Sequence, residues 1–222
     1  MRITIFAASG GVGRHLLDQA LAAGHDVTAV VRAPAKLGPT TARVVAVDLA
    51  EAGPAELRAA VEGADAVLSG LGPVSKAEAG VAWRGTTAIV QAMKAAGVRR
   101  IVAVSAAPVG TIATPGRPHP PRHDPGDRGV LRYVAYPILK RVLRTHYADV
   151  ARMEEVLRES GLEWTAARPV QLTDKALTRA YRTALDRNLP GGRVISRADV
   201  AHAMLAALEQ PETVGRTLGL AD

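Results

Sequence analysis

The stretch Ile5-Phe6-Ala7-Ala8-Ser9-Gly10-Gly11-Val12-Gly13-Arg14 joins an apolar, β-branched run over residues 2–7 to a helical pattern. That pattern puts Val12, Leu16, Leu17, Ala20 and Leu21 on one face and stops at Gly24. Glycines between a strand and a helix have a physical use. They allow a tight turn and let backbone N–H groups approach an anion closely. The helix N-terminus behind them adds unsatisfied donors and a favourable dipole. Alone, such a pattern is weak. Here it follows the first strand and opens the first helix, the context in which Ala8, Ser9, Gly10, Gly11, Val12 and Gly13 cradle a dinucleotide pyrophosphate, while Arg14 in the first helical turn adds charge for a 2′-phosphate. The competing reading is a plain strand–helix turn with no ligand.

Outward from this loop, strands and helices alternate. Residues 27–31 and 43–47 read as buried strands, 54–61 as a short helix, and 64–69 as a strand ending in Gly70-Leu71-Gly72. Residues 77–96 read as a long helix closed by Gly97, and 100–104 as a fifth strand. Continuously apolar strands separated by helices imply right-handed βαβ units and a parallel sheet covered on both faces. The expected fold is α/β: a Rossmann-type, doubly wound, mostly parallel sheet with helices on both faces, in one domain over residues 1–222. The regularity stops at residues 106–128, which are crowded with proline and glycine and carry Arg117, His119, Arg122 and His123. A loop of this length is either functional or mobile. Beyond it the pattern predicts a helix over 130–159 with a kink at Pro137, and a strand at 163–167. Residues 174–190 give no clear pattern. A short strand is expected at 193–195, then a helix over 197–208 capped by Ser196, and a last strand at 217–220. Residues 168–196 are expected to form a small substrate-side region.

Composition narrows the chemistry. The 222 residues are 48% hydrophobic and 22% charged, a globular balance. The chain has no cysteine, which excludes disulfides, thiol nucleophiles and thiolate metal sites. His119 and His123 are separated by Pro120 and Pro121, which prevent a shared helical face, so no metal site is expected. The first residues enter a strand directly, without the long apolar stretch of a leader, and no run of eighteen apolar residues occurs. A cytoplasmic protein without a membrane partner is the expectation. The formal charge of +7 points to an anionic partner. Aromatics are only 3% and no nucleic-acid-binding signature is present, so a phosphate-bearing small molecule is expected rather than nucleic acid.

The end of the second strand sharpens this. A site selective for NAD carries an acid there, on the ribose diol. This chain has Arg32, with Lys36 close behind, and a guanidinium suits bidentate pairing with a 2′-phosphate. NADP(H) is therefore expected over NAD(H), the alternative being that Arg32 and Lys36 are solvated surface residues. Asp48-Leu49 after the third strand is read either as an adenine contact or as a simple turn before the next helix.

The glycine loop resembles that of the atypical short-chain dehydrogenases/reductases, in the NmrA-like, NAD(P)H-binding branch that includes biliverdin-IX-beta and flavin reductases. The family's first glycine is Ala7 here and its threonine is Ser9. The resemblance extends to Val31-Arg32, Asp48-Leu49, Ser69-Gly70-Leu71-Gly72 and Ser105. It continues through Glu154–Thr165 with Ala167-Arg168-Pro169, and Ile195–Ala201. It implies that Gly70, Leu71, Gly72, Ser105 and Pro169 border the nicotinamide half of the cofactor.

Short-chain dehydrogenases commonly use serine, tyrosine and lysine: the serine meets the substrate carbonyl, the tyrosine gives a proton, and the lysine four residues later lowers its pKa. Ser105 matches the serine, or is a hydroxyl that caps a strand end. Counting back from Ser160-Gly161-Leu162 puts His146 at the tyrosine and Val150 at the lysine; a shift of one gives Tyr147 and Ala151. Neither register has the lysine. His146 and Tyr147 are the candidate proton donors, against plain helix residues. Three readings follow: an NADPH-dependent reductase of a small conjugated or aromatic substrate, an NADP(H)-binding sensor without turnover, or a non-redox isomerase or dehydratase. The helix bearing Leu139, Val142 and Leu143 beside Lys140, Arg141 and Arg144 faces the core or an interface, leaving monomer and homodimer open.

Overall fold

A computed structural model describes residues 1–73, 78–127, 138 and 141–222. The elements in chain order are β1 (Arg2–Phe6), α1 (Gly11–Ala22), β2 (Asp26–Val31), β3 (Arg43–Ala46), α2 (Pro54–Val61), β4 (Ala66–Ser69) and α3 (Val81–Ala96). They continue with β5 (Arg100–Val104), α4 (Arg144–Glu159), β6 (Glu163–Pro169), β7 (Gln171–Thr173), β8 (Arg182–Leu185), β9 (Val194–Ser196), α5 (Arg197–Ala206) and β10 (Arg216–Ala221). Eight strands form one sheet in the order β3-β2-β1-β4-β5-β6-β10-β8. Every neighbour in it is parallel except the β10–β8 edge pair. The doubly wound, mostly parallel architecture expected from the strand–helix alternation is thus the one observed. Strands β7 and β9 form a separate parallel pair.

Both faces of the sheet are covered. On one, Leu57 of α2, Ile89 and Met93 of α3, and Met153 and Leu157 of α4 pack with Phe6, Val67 and Ile101. On the other, Leu16 and Leu17 of α1 and Val200 and Met204 of α5 pack with Ile3, Ile5, Val27 and Leu218. Each fully buried Leu, Ile, Met or Phe contributes about 1.5–3 kcal/mol over its exposed state. Strands β1 and β4 are adjacent although β2 and β3 intervene in the chain, so the winding reverses between them. A crevice opens at such a reversal, outside the carboxyl ends of the strands. Among the described residues no helix is long and apolar enough to cross a membrane.

The pattern-poor segment 174–190 contains the antiparallel edge strand β8, and Asn188 beyond it is buried. The proline-rich loop is anchored at both ends. Thr114 Oγ1 and the Gly116 N–H donate to Glu155 Oε1 of α4 at 2.6 and 2.5 Å. Asp124 Oδ1 accepts from the N–H groups of Gly126 and Asn188, and Asn188 Nδ2 donates to Asp127 at 2.8 Å. The helix expected over 130–159 is α4 in its second half, while its kink at Pro137, and Leu139 and Lys140, lie outside the described residues. Val142 and Leu143 are exposed.

Candidate functional site

The crevice is a cleft of about 690 Å³, within the range of small-molecule and cofactor sites. One half is lined by Ala7, Ser9, Gly10, Gly11 and Val12 from the loop after β1, Arg32 and Lys36 after β2, and Asp48 and Leu49 after β3. The other half is lined by Gly70, Leu71, Gly72, Ser105, His146, Val150 and Leu172.

The glycine loop is built by close approach. A Cβ on Gly13 would lie 2.0 Å from the Ala7 carbonyl oxygen, and one on Gly70 would lie 3.0 Å from the Gly13 nitrogen. Position 13 therefore has room only for glycine, and the first turn of α1 sits directly on the loop. Ala7 takes a left-handed conformation at φ 55°. A side chain there costs roughly 1–2 kcal/mol, which accounts for the glycine that the resemblance places at this position. The Gly10 N–H donates to the Ala7 oxygen at 2.9 Å and closes the turn. Gly10 and Gly11 line the cleft without side chains, leaving a cradle beside the N-terminus of α1 that suits a phosphate group.

Arg32 is exposed and its Nη2 lies 3.2 Å from Glu78 Oε1, a solvated pair that contributes little. Lys36 sits on a short 3-10 turn over Pro34–Lys36. Arg14 holds that turn to α1: it bonds Asp18 and donates to the Leu37 carbonyl, so it is directed away from the cleft rather than into it. The Asp48 carboxylate accepts from the Ala50 N–H at 2.9 Å, closing its own turn, yet the residue still lines the cleft. Ala8 and Gly13 are buried beneath the loop. Pro169 is buried at the end of β6 and does not line the cleft.

At the other end, Ser105 Oγ donates to Glu154 Oε1 at 2.6 Å. Glu154 is fully buried and accepts from Arg168 Nε at 2.7 Å and Nη2 at 2.6 Å, and from Arg158. Burial opposes its ionisation, but the two guanidiniums and the Ser105 hydroxyl outweigh that and hold the carboxyl below its usual range. Arg168 is pushed the other way by the same carboxylate, against its own burial. Because Glu154 is ionised it can only accept, so the single Ser105 proton is committed to it. Ser105 meets the cleft as an acceptor. The sequence pattern implied a serine that donates to a carbonyl, and this buried pair reverses that polarity.

The two registers on α4 separate in space. His146 and Val150 line the cleft, whereas Tyr147 and Ala151 are buried in the sheet-side core. Tyr147 touches His146 edge-on at 5.5 Å between ring centroids, and burial pushes its phenol up. Burial pulls the His146 imidazole down, only partly offset by Asp149 and by a hydrogen bond to the Pro73 carbonyl, so at neutral pH the ring is uncharged. Asp149 itself accepts from the N–H groups of Gly80, Ala82 and Trp83 at 2.9, 3.2 and 2.9 Å, capping α3 from the neighbouring helix.

Arg197 and Leu172 are among the cleft residues that the sequence reading did not single out as site residues. Arg197, at the start of α5, lines the cleft near the glycine loop, and Leu172 of β7 lines its far end. Gly85 of α3 makes room for Leu71, whose Cδ2 would lie 2.5 Å from a Cβ there. A glycine inside a helix is the only local sign of that packing.

Strand reversal, glycine cradle and basic residues after β2 together define a dinucleotide-binding α/β protein. Residues 7–211 match the NAD(P)H-binding family, and the chain belongs to it. A Bacillus subtilis (strain 168) protein named "Uncharacterized sugar epimerase YhfK" is 28% identical over 232 aligned residues, covering 100% of this chain and 94% of its own. The oxidoreductase ylbE from Lactococcus lactis superposes with a TM-score of 0.79 at 18% identity, covering 100% of this chain and 91% of its own. A short-chain dehydrogenase/reductase from Veillonella parvula in complex with NADP superposes with a TM-score of 0.76 at 20% identity, covering 100% and 94%. The family assignment agrees with the resemblance carried by the loop and the later motifs.

Proposed function

We propose that this protein is an NADPH-dependent oxidoreductase of the atypical short-chain dehydrogenase/reductase type, acting on a small conjugated or aromatic substrate. The observation that carries the reading is one cleft with a glycine cradle and Arg32 at one end, and Ser105 and His146 at the other. In this reading the loop from Ser9 to Val12 holds the pyrophosphate on backbone N–H groups. Arg32 and Lys36 pair with the 2′-phosphate, while Asp48 and Leu49 border the adenine. Gly70, Leu71, Gly72 and Ser105 border the nicotinamide, and Leu172 belongs to the substrate-side region.

NADPH supplies a hydride when bound. The protein's own contribution at that end is orientation and exclusion of water by Val104, Val150 and Leu172. Ser105 and the uncharged His146 accept hydrogen bonds from a substrate N–H or O–H. Val150 stands at the lysine position and Tyr147 lies in the core, so neither α4 register assembles a phenolate relay among the described residues; in this reading water supplies the proton taken up by the product. A conjugated acceptor tolerates this better than an isolated carbonyl, which calls for a donor at its oxygen.

The test is oxidation of NADPH, followed by its absorbance, against a panel of flavins, quinones, tetrapyrroles and simple aldehydes. Turnover with a conjugated member and none with aldehydes is expected. Turnover with aldehydes alone would count against the reading. A second reading, an NADP(H) sensor without turnover, is favoured by the same Val150; tight NADPH binding with no turnover on any acceptor would establish it instead.

A further inference from the structure

We infer that Arg197 is a diphosphate clamp, reaching the bridging phosphates of the dinucleotide from beside Gly11 of the glycine loop. This rests on the proposed cofactor, and it adds a binding group from the C-terminal half of the chain that no loop motif contains.

Three observations carry it. Arg197 lines the same cleft as Ser9, Gly10 and Gly11. Its side chain lies over the loop itself: a Cβ on Gly11 would stand 2.8 Å from Arg197 Nε and 2.9 Å from its Cδ. Its base is fixed relative to that loop, because Ser196 Oγ accepts from the Asp199 N–H at 2.9 Å to cap α5, and Gln19 Nε2 of α1 donates to the Ala198 carbonyl at 2.9 Å. The first turn of α5 is thereby held against α1, and the Arg197 side chain reaches the Gly11 end of that helix.

The guanidinium is partnered, but by a group it can exchange. Arg197 Nη1 lies 2.6 Å from Asp174 Oδ1, and the Asp174 side chain is 88% exposed. An ion pair so open to water is weak. A diphosphate offers two charges and the planar, bidentate geometry that a guanidinium matches. The loop supplies only partial charges from backbone N–H groups, and the first turn of α1 has no acidic residue to compete. Arg197 therefore adds a full positive charge beside the cradle. The ligand feature it recognises is the diphosphate, common to NADP and NAD, whereas Arg32 faces the 2′ position.

That difference gives the test. Affinities of the full chain for NADP⁺, NAD⁺ and adenosine 2′-monophosphate are measured by calorimetry or competition for wild type, Arg197→Ala, Arg197→Lys and Arg32→Ala. Arg197→Ala is expected to weaken NADP⁺ and NAD⁺ by the same factor, about tenfold or more, and to spare the monophosphate. Arg197→Lys recovers part of the loss. Arg32→Ala shows the opposite pattern, weakening NADP⁺ and the monophosphate while sparing NAD⁺. Unchanged affinities in Arg197→Ala, or a loss confined to NADP⁺, would overturn the clamp while leaving the cofactor reading intact. A wild-type protein that binds neither dinucleotide overturns the cofactor reading itself. Ligand-free melting temperatures check folding, and Arg197→Gln, which keeps the stem over Gly11, repeats the test if the alanine variant is unstable.

Discussion

Replacing Gly13 by alanine tests the loop geometry directly. The added Cβ would stand 2.0 Å from the Ala7 oxygen, 2.8 Å from the Ala7 carbonyl carbon and 3.1 Å from the Ala8 Cα. A carbon meets a carbonyl oxygen comfortably at about 3.3–3.6 Å, so loop and helix must part by at least about 1.3 Å. All three atoms are backbone, so no side-chain rotation relieves the clash. The Ala7 oxygen also accepts the Gly10 N–H at 2.9 Å, and moving it opens the turn. Overpacking of this kind costs about 1–3 kcal/mol, a fall in melting temperature of roughly 2–10 °C at this chain length. Displacing the phosphate-facing N–H groups by about 1 Å is expected to weaken NADPH binding on the order of a hundredfold. Thermal melting and calorimetric titration read the two effects. Gly53→Ala is the control, since nothing lies within 4 Å of a Cβ there. If Gly13→Ala melts and binds like wild type, the close-packed loop is not what shapes the cradle.

Ala7→Gly relieves the left-handed backbone at φ 55° and is expected to raise stability by about 0.5–1 kcal/mol in denaturant melts; a destabilised variant would contradict the strain. Glu154→Ala leaves Arg168 buried without its counter-charge and is expected to cost about 3–5 kcal/mol, whereas Ser105→Ala, removing only the hydroxyl, costs about 1 kcal/mol; equal losses would contradict the buried pair. The His146 pKa lies below its ordinary 6.5, so the unfolded chain binds the extra proton first and stability falls as pH drops below about 6.5. Glu154, also lowered from 4.5, adds a further loss as pH falls through its folded value. His146→Gln should flatten the upper part of that slope, and an unchanged profile between pH 5 and 7 would refute the assignment.

Much of the fold was legible because its determinants are local. The Gly10–Gly13 turn, the apolar runs at β1, β2, β4 and β5, and Pro54 at the start of α2 act within a few residues, and each element stands close to where the pattern put it. The β8 edge strand was not legible. Two of its four residues are exposed and none is fully buried, and its place is set by β10, more than thirty residues on. The site divides in the same way. Glycine spacing and the residue after β2 mark the cradle in sequence. The polarity of Ser105 is set by Glu154, 49 residues away, and by Arg168 on another strand. Spacing could not choose between His146 and Tyr147, because a one-residue shift on a helix changes the face by about 100°. Packing of α4 on the sheet makes that choice. The Ile195–Ala201 resemblance contains Arg197 but does not place it in the cleft, because its neighbour there, Gly11, lies in the first turn of the chain's first helix.

The most direct measurement is a crystal structure of the complex with NADP⁺. The account predicts the 2′-phosphate on Arg32, the diphosphate on residues 9–12 with the Arg197 guanidinium beside it, and the nicotinamide C4 facing Ser105 and His146. A dinucleotide bound outside this cleft, or lying in it with the nicotinamide at the Arg32 end, would contradict it.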